Sequence, residues 1–324
     1  MRMRMAGLVC IAALAGLSAD PALAQAYPAK PVRIVVPQAA GAQSDLFTRL
    51  LGQKLGESLG QPVISDPRPG AGGAIGAEVA ARAAPDGYTL LMGTNSTHGS
   101  NPALYAKLPY DPVKDFAPIT LTVITPYVLT VHPSLPVTTL KQLIAFAKAR
   151  PAQLNYASAG NGSTHQLCGE LLKSMTGVDI VHVPYKGGPP ATAANIGGEV
   201  SMHFSSVSAL HTHIKSGRLK ALGVTAARRA ALLPEVPTMS EAGLPGFEMS
   251  SWFGLLAPGG TSKAIVSRLN AETVKAMNLP DIKSVVAAQG SEIIAGSPEQ
   301  FADHIKSEIA RIGKIAKTAG IKAE

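Results

Sequence analysis

The chain is poor in cysteine, in aromatic residues and in clustered charge, and each shortage removes a class of protein. Only two of its 324 residues are cysteine, Cys10 and Cys168. Cys10 lies in an N-terminal segment read below as a cleaved signal, so the remainder holds one thiol and no intramolecular disulfide. Its stability must then come from core burial, which a hydrophobic content of 46% allows. Charged residues are 15% and aromatics 5%, scattered without the basic runs and interleaved aromatics of a nucleic-acid surface, so no nucleic-acid partner is expected. The charge-free stretch Phe116 to Leu140 has the length of a membrane span, but Pro118, Pro126, Pro133 and Pro136 interrupt it. That pattern suits extended β structure and cannot propagate a helix across a bilayer.

Reactive constellations are missing too. There is no H-E-x-x-H, C-x-x-C or Walker A pattern, because the sole Gly-Lys pair, Gly313-Lys314, is followed by Ile315. Gly70 to Gly76 resembles a dinucleotide fingerprint but carries Ile75 where the third glycine belongs, so no cofactor is expected, and no metal. His211 and His213, two apart on a helix, point away from one another, and His132, His182 and His304 read as structural or surface groups. Ser163 and His165 are the one pair that would serve a secreted serine hydrolase, which is the alternative to a binding protein. Two residues apart at a helix start, their side chains would not meet, and no orienting carboxylate lies nearby.

What is present begins with an export signal. Arg2 and Arg4 form a positive n-region, Met5 to Ala19 is apolar, and Ala22-Leu23-Ala24 and Ala24-Gln25-Ala26 are two overlapping cleavage sites. Residues 1–24 are therefore read as a signal peptide. The residues before Cys10 do not form a lipoprotein signal, so a soluble periplasmic product without a lipid anchor is expected. The full chain carries a net charge of +8; without Arg2, Arg4 and Asp20 it carries +7. A diffuse positive field suits an anionic small ligand and plain solubility equally.

From Tyr27 onward, short β-rich runs alternate with helical patterns, the signature of parallel α/β architecture. Val32–Val36, 62–65 and 88–94 read as strands of a first lobe. Strands near 154–158, 180–184, 200–205 and 219–225, alternating with helices near 163–175, 189–196 and 208–215, form a second. Thr139 to Gln142 is a candidate capping box. Ser297-Pro298-Glu299-Gln300 predicts a helix running to about 317, expected to pack back on the first lobe. The assignment is residues 25–125 with 246–324 for lobe 1 and 126–245 for lobe 2. Length alone also admits a TIM barrel.

Three strand-to-helix loops are built of small and polar residues: Gln38 to Asp45, Pro69 to Gly73, and Ser158 to His165. Such loops expose backbone N–H groups at helix N-termini, where an anion is favoured. For any one loop, capping explains the residues as well as binding does. Three of them divided between two lobes would converge in a cleft.

Tyr27-Pro28-Ala29-Lys30-Pro31-Val32-Arg33-Ile34-Val35-Val36-Pro37, Arg68-Pro69-Gly70-Ala71-Gly72-Gly73, Ala84-Pro85-Asp86-Gly87-Tyr88-Thr89-Leu90, Asn155 to Ser163 and Val183-Pro184-Tyr185-Lys186-Gly187 together resemble the Bug family. Its members are periplasmic receptors of tripartite tricarboxylate transporters. The resemblance extends to Leu244-Pro245-Gly246-Phe247 and Ser251-Trp252-Phe253-Gly254. It implies a type II periplasmic-binding-protein fold in which two Rossmann-like lobes, joined by two crossing segments, close on a small mono- or dicarboxylate, aliphatic or aromatic. It also implies a monomer that delivers this ligand to a two-component membrane permease or to a sensor protein. In the family, backbone groups and ordered waters from both lobes hold a carboxylate. Carried onto this chain, that role falls to Gly41, Ser44 and Asp45, to Ala71, to Thr94, Asn95 and Ser96, and to Ser158, Asn161, Ser163 and His165. Two departures bear on the ligand. Gln38 brings an amide side chain into a loop that is commonly richer in proline and glycine. The strand containing Phe204 and Ser205 lacks aspartates that many relatives carry at the positions of Ser201 and Ser205, so the cleft is expected to prefer acids without an amine. His203 is expected on the same face as Ser205, opposite Phe204.

Overall fold

A computed structural model of the chain describes residues 27–321. The signal segment and both cleavage sites lie outside the described residues. The first sheet grows around β1 (Val32–Val36), a run of branched residues buried except at Arg33. After it come α1 (Gln43–Leu59), β2 (Val63–Pro67), α2 (Ala74–Ala81) and β3 (Thr89–Thr94). β1 pairs in parallel with β2 on one side and β3 on the other. A π-helical turn over Ser96–Ser100 then leads into α3 (Asn101–Leu104).

The charge-free stretch is β4 (Phe116–Val131), buried along most of its length on both faces, which explains its lack of charge. Its register shifts near Pro118 and again between Leu121 and Val123, the usual accommodation of proline and irregularity in a strand. Up to Pro126 it pairs antiparallel with β9 (Ser250–Pro258); from Tyr127 it pairs with β7 (Met202–Ser206), and from Val128 also with β8 (Lys220–Val224). One strand thus serves both sheets. Between β4 and β7 come α4 (Leu140–Lys148), β5 (Leu154–Ser158), α5 (Thr164–Thr176), β6 (Ile180–Pro184) and α6 (Gly188–Gly197), and α7 (Val207–Lys215) precedes β8. β5 pairs in parallel with β6 and β7. The chain returns through β9 to α8 (Lys263–Met277), α9 (Pro280–Ala288), β10 (Glu292–Ile293) and α10 (Pro298–Ala319). The strand order β2-β1-β3-β9-β4-β7-β5-β6, with β8 and β10 also on β4, gives two α/β lobes hinged on β4 and β9.

Each lobe has its own core, one around Ile34, Phe47, Leu90 and Phe253 and the other around Tyr156, Leu167, Phe204 and Phe247. α10 starts with the full capping box expected at Ser297 and Gln300. In contrast to the expectation that it packs on the first lobe, it spans both. Phe301 and Ile305 join Trp252 and Leu256, whereas Ile312 and Ile315 join Leu167 and Leu172 in the second lobe. Twenty-two residues rise about 33 Å, more than one lobe's face accommodates. The second expected capping box forms by half: Thr139 Oγ1 accepts from the Gln142 amide at 3.2 Å, but Gln142 Oε1 takes the Thr138 amide at 2.7 Å.

Candidate functional site

A cavity of about 750 Å³ opens between the lobes. Lobe 1 supplies Gln38 and, at the head of α1, Ala42 and Gln43, with Ser251 and Phe253 from β9. Facing them are Tyr127 on β4, His165 in the first turn of α5, and one side each of α6 and α7. On α6, Gly188, Pro189, Thr192, Ala193 and Ile196 recur every three to four residues. So do Ser206, Ala209 and His213 on α7, with Ser205 just before it. This spacing puts each set on one helix face.

The helix heads differ in what they offer. α1 begins at Ala42 and α7 at Ser206, and neither N-cap side chain satisfies its helix. Their first-turn N–H groups therefore remain available at the positive ends of two helices, one in each lobe. α6 is also uncapped, but Pro189 and Pro190 remove two donors from its first turn and make it an apolar shoulder. α5 is capped. Ser163 Oγ accepts from the Gln166 amide at 3.4 Å and donates to the Gly160 carbonyl at 2.6 Å.

No Asp, Glu, Lys or Arg lines this cavity. Burial holds His165 down to about 3, with His203 behind it adding to the shift, and burial likewise holds His203 down to about 4. Both rings, 5.1 Å apart, are neutral at neutral pH. The Tyr127 ring stands edge-on to His165 at 5.0 Å, and burial raises its phenol, which remains an O–H group. The site is thus polar but without formal charge, and its attraction for an anion comes from oriented dipoles. A second hollow of about 490 Å³ is lined by Pro126, the Arg228 to Ala231 loop and residues from Lys283 to Ile293. Arg228 in its wall is neutralised by Glu292 at 2.7 Å.

Of the residues singled out in the sequence, Gln38, His165 and Ser205 line the cavity. Ser44 is fully buried and donates to Gln38 Oε1 at 2.6 Å, which orients that amide. Asp45 is committed locally. Burial alone would raise its carboxyl, but the Gly41 amide at 2.9 Å, the Ser65 hydroxyl at 2.6 Å and the Arg49 guanidinium hold it below its usual range. Ala71 sits exposed in its turn with φ 46°. Thr94 bonds to Thr97, and Ser96 opens the turn after β3. Asn95 joins the lobes, donating to Thr164 Oγ1 at 2.6 Å and accepting from Ser251 at 3.4 Å. Ser158 bonds to His182 at 2.6 Å, and Asn161 is exposed. None of Ala71, Thr94, Asn95, Ser96, Ser158, Asn161 and Ser163 is in the cavity wall.

Phe204 corrects the expectation made for it: its ring is fully buried in the second core, stacked on Phe247 at 6.0 Å. Strand alternation sends it away from the cleft. His203 lies on the cleft side as expected, but beneath Thr192, 3.3 Å from its hydroxyl. Ser163 and His165 do not form a nucleophile and base: the serine caps α5, while the histidine ring lies between Tyr127 and His203. Sequence reading missed Tyr127, Thr192, Ser206, His213, Ser251 and Phe253. The small-residue run Gly187-Gly188-Pro189-Pro190 after β6 was the available signal for the α6 wall. Among the described residues, no three His, Cys, Asp or Glu side chains are placed to hold a metal, and no helix is long and apolar enough to cross a membrane.

The tripartite tricarboxylate transporter family receptor profile matches residues 47–321. Protein BugT of Bordetella pertussis is 37% identical over 311 residues, covering 96% of this chain and 95% of its own. Among solved structures, R. palustris Rpa4515 with adipate superposes with a TM-score of 0.81 at 38% identity, covering 91% of this chain and 99% of that one. The periplasmic binding protein BugD does so with a TM-score of 0.78 at 33% identity, covering 92% and 100%.

Proposed function

Because the chain belongs to the tripartite tricarboxylate transporter family of receptors, we propose that it is a periplasmic receptor that captures a small carboxylate and delivers it to a two-component membrane permease. The observation that carries this reading is the pairing of two uncapped helix heads, α1 from one lobe and α7 from the other, across a cavity without charged side chains. A carboxylate between them accepts hydrogen bonds from both lobes and so favours closure, while Gln38, Ser205, Ser206 and Ser251 offer further polar contacts. Phe253, Tyr127 and Ile196 cover the carbon skeleton. A ligand ammonium would find no carboxylate in this wall, and burying it unpaired is costly. The favoured ligands are therefore acids without an amine, in line with the adipate held by the R. palustris relative. The export signal at residues 1–24 supports delivery to the periplasm. The change of β4 partners at Pro126–Tyr127 supports a lobe boundary at 125/126.

The test is a thermal-shift screen followed by calorimetric titration with succinate, aspartate and terephthalate. A receptor gains about 2.7 kcal/mol at a hundredfold ligand excess over Kd, and both diacids should bind more tightly than aspartate. Turnover of an ester with no stabilisation by any carboxylate would overturn the receptor. Preference for aspartate would overturn only the argument about charge.

A further inference from the structure

The far end of the cavity carries a polar group that the receptor reading does not use. His213 lines the wall two turns along α7 from Ser206, a rise of about 10 Å. Along the α7 wall, the lining residue between these two polar positions is Ala209. Behind His213 the chain doubles back. Gly217 takes φ 73°, Leu219 donates its amide to the His213 carbonyl at 3.2 Å, and this tight return brings Arg218 Nη2 to 2.6 Å from His213 Nδ1.

That contact fixes the tautomer. A guanidinium can only donate, so Nδ1 is the acceptor and the imidazole proton stays on Nε2. Partial burial, the Arg218 charge and, to a smaller degree, His211 all lower its basicity, which keeps the ring neutral. The α7 wall is thus polar at its head, apolar at Ala209 and polar again at a donor backed by a guanidinium.

Resting on the receptor reading, we propose that His213 is a specificity-determining residue that takes the second acid group of a diacid long enough to reach it from the α7 head, with Arg218 as its positioning residue. Short diacids such as succinate leave this donor unused, and monoacids of any length offer it nothing to bind.

The test is calorimetric titration of the signal-free chain with adipate, hexanoate and succinate. The wild type should bind adipate about tenfold more tightly than hexanoate, the difference expected of one charge-assisted hydrogen bond, and more tightly than succinate. His213→Ala should bring adipate down to the level of hexanoate and leave hexanoate where it was. His213→Gln, which keeps a side-chain N–H, should recover part of the difference. Arg218→Met should weaken adipate selectively and change the nitrogen chemical shifts of His213 as the tautomer is released, which a merely structural role would not do. Equal affinity for adipate and hexanoate in the wild type, equal weakening of both in His213→Ala, or binding of succinate alone would overturn the proposal while the receptor stands. Failure of the wild type to bind any carboxylate would remove the receptor reading and this proposal with it.

Discussion

Replacing Ser163 by alanine separates the two roles open to a serine at the head of a cleft helix. In the structure its hydroxyl is already committed, donating to Gly160 at 2.6 Å and accepting from Gln166 at 3.4 Å, and it does not line the cavity. Losing an N-cap costs about 0.5–2 kcal/mol. The long Gln166 contact is the weaker half of this cap, and the Gly160 carbonyl keeps partners in the Ser158 hydroxyl at 3.2 Å and the Ser163 amide at 3.3 Å. We therefore expect Ser163→Ala to cost about 1 kcal/mol, which lowers Tm by about 2 °C in a chain of this size. Calorimetric unfolding without ligand reads that loss, and Ser163→Thr should restore most of it. Affinity of the folded protein for its best acid should change by less than about twofold. A tenfold loss of affinity with an unchanged ligand-free Tm would refute this reasoning and place the hydroxyl in the binding site.

Gly169→Ala should destabilise by about 1–3 kcal/mol in urea unfolding, because the new Cβ would clash with the Tyr156 ring, itself tied to Glu170 at 2.6 Å. Gly313→Ala on α10 meets nothing within 4 Å and should stabilise by about 0.5–1 kcal/mol; a loss there would contradict the helix placement. Burial holds His98 and His165 down to about 3 and His203 to about 4, from an ordinary 6.5. The unfolded chain therefore binds more protons below about pH 6.5, so their contribution is full above that value and is lost progressively as pH falls through about 4 to about 3. A urea midpoint that stays level across that window would refute the buried neutral rings. Cys168 is fully buried and burial pushes its thiol far up, so a thiol reagent should label it only at the rate of unfolding.

The strands and helices were legible because their signals are local. The branched run at β1 and the capping box at Ser297 both appear where sequence chemistry put them. The two-lobed fold was legible from the order of motifs. The cavity wall was legible only in part, because its residues are neighbours through the turns of α6 and α7 rather than in sequence. Capping and binding also use the same residue types: Ser163 caps its helix, whereas Ser206, equally placed before α7, leaves its helix uncapped. Phe204 and Ser205 show the finer limit, since one step along a strand exchanges core for cleft. The reach of α10 was missed because periodicity reveals an apolar stripe but not how many bodies it covers.

The placement of β9 between β3 and β4 has a consequence for the order in which the molecule is completed. Every strand of the second sheet lies between residues 116 and 224, so that sheet has all its members soon after they are synthesised. The first sheet cannot join its two parts until Ser250–Pro258 is available. Until then β3 and the first half of β4 present unpaired edges, the kind of surface that chaperones shield and that aggregates if left bare. The lobe that holds the N-terminal strands thus stays open until most of the polypeptide has been made.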